Sequence, residues 1–138
     1  MRCVIPFYDC LWTSELESRF IAAAMAAKEA GTWQVWPNWR NRAFVEQIMP
    51  ILNSEFRLAL PAEFYAEKVE LLFHRQNTFQ FIKGHYGVYW NEQSNDVVMD
   101  DEIFSGLATL TPIAHAYRSK GEAHYRDLCA LFRDDEED

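Results

Sequence analysis

The stretch PAEFYAEKVELLFHRQNTFQFIKG, residues 61–84, decides the fold. Pro61 suits the first position of a helix, where its missing N–H costs nothing. Val69, Leu72, Phe79 and Ile82 then recur at helical spacing until Gly84, which predicts a long helix of about 20 residues. On it Val69, Leu72, Gln76 and Phe79 share an inward face, while Glu67, Glu70 and His74 share the outward one.

Upstream, two helices are expected. Ser14 and Glu17 read as an S-x-x-E capping box, in which hydroxyl and carboxylate satisfy orphan amides at a helix start. The helix it opens runs from about residue 14 to 30, with Leu16, Phe20, Ala23, Ala24 and Ala27 at three- and four-residue spacing and Gly31 as its left-handed cap. Its alanine-rich part, Ile21 to Ala27, lets another helix approach closely. Trp33, Trp36 and Trp39 follow in a loop broken by Pro37 and Asn38, and so much aromatic area has to be buried somewhere. A second helix begins near Asn41 with Phe44, Ile48 and Leu52 on one face. Pro50 removes a hydrogen bond and crowds the preceding turn, so a kink or break is expected near Met49.

Downstream the period changes. Val88, Tyr89 and Trp90, the polar run Asn91 to Asp96, and Val97, Val98 and Met99 read as a short hairpin. Asp100 or Asp101 caps a helix carrying Ile103, Phe104 and Leu107, Thr111-Pro112 opens another, and Glu122 to Phe132 supplies Tyr125, Leu128, Leu131 and Phe132. Without an internal repeat or a long linker, the chain reads as one domain over residues 1–133 with an acidic tail at 134–138.

The 138 residues, 49% apolar and 25% charged, exclude a solenoid array, a collagen-like fibre and a disordered chain. The net charge of -8 makes the whole molecule a poor match for a polyphosphate, although five of the 21 acidic residues end the chain and leave 16 against 13 basic ones. Cys3, Cys10 and Cys129 show no CxxC spacing and read as reduced intracellular thiols. No apolar run is long enough for a transmembrane helix, and the start, MRCVIPFYDC, lacks the apolar core of a secretion signal.

The wording itself is more specific. Trp12-Thr13, Phe20, Phe44, Ile48, Leu52-Asn53, Phe56, Leu58, Leu60 and Lys68-Val69 are followed by Trp90-Asn91 and Asp100-Asp101-Glu102. Pro112, Ala114, Tyr117, Arg118, Lys120 and Gly121 come next, then Tyr125, Asp127-Leu128-Cys129 and Leu131-Phe132. In this order and spacing, over residues 12 to 132, the text resembles the plant Myb/SANT-like domain. That family includes the Myb-like partners of Harbinger-type transposases and genes domesticated from them. The resemblance implies a mainly α fold: a tri-helical, helix-turn-helix-like bundle, a short β-hairpin and two or three C-terminal helices. It also implies a non-catalytic nuclear adaptor in transcription, chromatin or transposase-derived complexes.

In such bundles the third helix enters the major groove with basic and amide side chains. Residues 61–83 here set Lys68, Arg75 and Lys83 against Glu63, Glu67 and Glu70, a formal balance of zero. Protein contacts are therefore expected to dominate, through Glu67, Glu70 and Phe73 and an aromatic patch of Trp33, Trp36 and Trp39. A transposase-like or chromatin factor is the expected partner. The alternative is sequence-specific binding of double-stranded DNA by Lys68, His74, Arg75 and Lys83, aided by Arg40 and Arg42 near the tryptophans. A further basic cluster, His115, Arg118, Lys120, His124 and Arg126, could pair with the acidic tail.

An enzyme is not expected. Histidines 74, 85, 115 and 124 form no HxxxH pair, His124 is off the helical face of Cys129, and Asp100-Asp101-Glu102 suits a helix start better than acid–base work. No phosphate-binding glycine loop, metal motif or cofactor fingerprint occurs.

Overall fold

Thr13 starts the first helix in the computed structural model, which describes residues 7–35 and 41–133. Its hydroxyl accepts a hydrogen bond from Leu16 N at 3.1 Å, so the N-cap lies one residue before the expected Ser14. Glu17 is not the reciprocal half of a capping box, because it falls a position past the third helical residue. Its buried carboxylate instead accepts from Trp12 Nε1 at 2.9 Å and from Tyr8 Oη at 2.8 Å, tying down the chain that enters the helix. Thr13→Ala is expected to cost about 1 kcal/mol and Ser14→Ala close to nothing, read from paired denaturant curves.

This helix, α1, runs Ser14–Glu29 and is followed by α2 (Arg42–Phe56) and α3 (Ala62–Lys83). Gly31, at φ +84°, closes α1 in a Schellman turn, with Thr32 N donating to Ala27 O and Gly31 N to Lys28 O. α2 runs unbroken through Pro50, so of the kink or break expected near Met49 the break does not occur. Pro50 and Glu46 are both exposed, so the carbonyl deprived of its donor lies on the water side of the helix. Arg57 ends α2 in the left-handed region at φ 57°, where Leu58 N reaches Asn53 O. The hairpin strands β1 (Tyr89–Asn91) and β2 (Asp96–Val98) come next, then α4 (Asp101–Leu110), a 3-10 helix (Pro112–Tyr117) and α5 (Tyr125–Phe132). Asp100 caps α4 and Thr111 caps the 3-10 helix, each by a side-chain oxygen. The fold is thus mainly helical with a small antiparallel hairpin.

The chain groups into two compact units. One holds residues 8–73 and 126–133, and its core joins Trp12, Leu16, Phe20, Phe44, Leu52, Tyr65, Val69, Leu72, Leu128 and Leu131. Its rings meet edge to face, Trp12 with Phe20 at 5.7 Å and Phe20 with Phe44 at 5.8 Å.

The other unit holds Phe7 and residues 74–125 and buries Phe79, Ile82, Val97, Met99, Leu107 and Tyr117. Phe79 is its hub, with ring centroids at 5.1 Å from Trp90, 4.9 Å from Tyr117 and 5.6 Å from Tyr125.

Candidate functional site

α3 carries Lys68, His74, Arg75 and Lys83, expected for DNA, and Glu67, Glu70 and Phe73, expected for a protein partner. Its burial follows the sequence period: Val69, Leu72, Gln76 and Phe79 are buried, while Glu67, Glu70 and His74 are exposed. Arg75 belongs to the same inward face, because it is three residues from Leu72 and four from Phe79.

Arg75 is therefore turned into the fold and away from the surface on which a contact with DNA was expected. It is 1% exposed, and its guanidinium forms a two-point pair with Glu122, Nε to Oε1 at 3.0 Å and Nη2 to Oε2 at 2.7 Å. The Phe7 ring covers it at 4.1 Å. Glu122 also accepts from Tyr117 Oη at 2.5 Å and from His124 N at 3.1 Å. Burial pushes the Glu122 carboxyl up, but the Arg75 hydrogen bonds and charge, with help from Tyr117 and His124 N, hold it below the ordinary carboxylate range. The Tyr117 hydroxyl is raised by burial first and then by the neighbouring Glu122 charge. Each oxygen of this carboxylate accepts two hydrogen bonds, so the buried cluster is a fully satisfied network.

The other cations of α3 are also engaged. Lys68 is half-buried, with Nζ 5.0 Å from the Phe64 ring and 5.5 Å from that of Trp12. Lys83 is half-buried with Nζ 5.8 Å from the Trp90 ring and 5.6 Å from Tyr125. Arg42 remains on the surface, but it bridges Glu46 at 3.2 Å and Glu63 at 3.1 Å, which raises its own pKa and contributes to lowering that of Glu63. Of the set Lys68, His74, Arg75, Lys83 and Arg42, only His74 and Arg42 are exposed.

The expected protein-binding set also divides. Glu67 and Glu70 stand in solvent. Trp33 does not: it is 5% exposed, packs its ring against Phe44 and Phe132, and donates Nε1–H to Leu131 O at 2.9 Å, so it is core. Phe73 is half-buried against Phe132 at 5.6 Å, which makes it a rim of the same core. Trp36, Trp39 and Arg40 lie outside the described residues, as does the acidic tail. Arg118 and Lys120, expected to meet that tail, pair with Asp101 and Asp96 at 2.6 Å each.

Sequence reasoning missed the buried Arg75–Glu122 pair. The signal for half of it was present, since Arg75 shares a helical face with Leu72, Gln76 and Phe79. Among the described residues no group of three or more His, Cys, Asp and Glu side chains is arranged to hold a metal, and no helix is long and apolar enough to cross a membrane. No family model, no curated protein and no solved structure matches this chain.

Proposed function

We propose that the chain is a non-catalytic Myb/SANT-like adaptor domain of nuclear transcription, chromatin or transposase-derived complexes, holding a basic protein segment on the outer face of α3. One observation carries the reading: Arg75 and Lys68 are drawn into packing while Glu67 and Glu70 stand in water. A duplex approaching that face meets carboxylates, although phosphate neutralisation supplies most of the affinity of such helices for DNA. A lysine- or arginine-rich polypeptide meets complementary charge there. The adaptor class itself comes from the resemblance of the text, supported by three helices in residues 14–83 of which the third is the longest.

The full chain is expected to leave duplex DNA unshifted at about 0.15 M salt, where long-range attraction is screened. Glu67→Lys combined with Glu70→Lys should raise affinity for random duplex about tenfold or more, read by fluorescence anisotropy, because each change replaces repulsion by a phosphate contact. The same double variant should lose a transposase-like or chromatin protein that the parent recovers from nuclear extract. Tight DNA binding by the parent, abolished by Lys68→Glu, would sink this reading in favour of duplex recognition by α3.

A further inference from the structure

We draw no further inference here: the strongest candidate, the apolar groove between α1 and α2 lined by Ala23, Ala26, Phe44, Ile48 and Ile51, carries nothing because nothing among the described residues shows what covers it.

Discussion

Glu122→Ala is expected to destabilise the protein by about 3–5 kcal/mol, because it leaves the Arg75 guanidinium buried at 1% exposure without its counter-charge. For a chain of this size that loss lowers the melting temperature by roughly 10–20 °C. The cost is not the worth of the pair. Replacing both partners with apolar groups, Arg75→Met with Glu122→Leu, should recover most of the loss, since desolvating two charges offsets much of their attraction. Tyr117 limits that recovery, because its hydroxyl also loses an acceptor at 2.5 Å.

The same site sets an acid limit. Glu122 has a folded-state pKa below its ordinary value, so its contribution is fully present above the unfolded carboxyl pKa, and it is lost as pH falls through the lower folded value. Arg75 stays charged throughout. Melting temperatures between pH 6 and pH 3 should therefore fall more steeply for the parent than for Glu122→Gln, which has no proton to take up. Parallel curves for the two would remove Glu122 from the acid transition.

Gly121→Ala is the second large effect, expected at about 2–4 kcal/mol from overpacking together with a displaced hydrogen bond. A Cβ at this position meets Asn95 Oδ1 and lies 2.7 Å from both Phe79 Cζ and Trp90 Nε1. None of the three can retreat easily. Asn95 Oδ1 accepts from Trp90 Nε1 at 2.8 Å, its carbonyl accepts from Gly121 N, and Phe79 is the hub of the aromatic core. Asn95→Gly removes the nearest obstructing atom and suits the left-handed backbone at φ 61°. The double variant should thus be more stable than the sum of the single losses, measured in a double-mutant cycle by thermal unfolding. Additive losses would show that the clash is not with Asn95.

Glu122 and Gly121 also mark how far the fold was legible in the residues. Helix ends were local problems with local answers: Gly31 in its left-handed turn, Asp100 and Thr111 as caps, and the change of period at the hairpin all follow from rules spanning a few residues. Where one local signal competed with its neighbour, the reading slipped by a position, as when Thr13 displaced Ser14 as the cap of α1. Pro50 shows the reverse case. Its cost is real, but packing of Phe44, Ile48 and Leu52 on the opposite side keeps α2 continuous while the lost bond faces water.

The candidate site was legible in part. The outward position of Glu67 and Glu70 follows from helical period alone. The fates of Lys68, Arg75 and Trp33 do not, because each depends on what the rest of the fold places opposite: two rings, a carboxylate 47 residues away and a main-chain carbonyl 98 residues away. Trp33 was legible as aromatic area in need of cover, but not as a tryptophan whose N–H meets Leu131.

By itself, the sequence determined a mainly helical chain, the hairpin and the inward and outward faces of α3. These are properties of periodicity and capping, which act over a turn or two of chain. Only the tertiary structure decided which cations remain available to a partner, because the energy of a charge depends on distance and desolvation, and both are set by residues far apart in sequence.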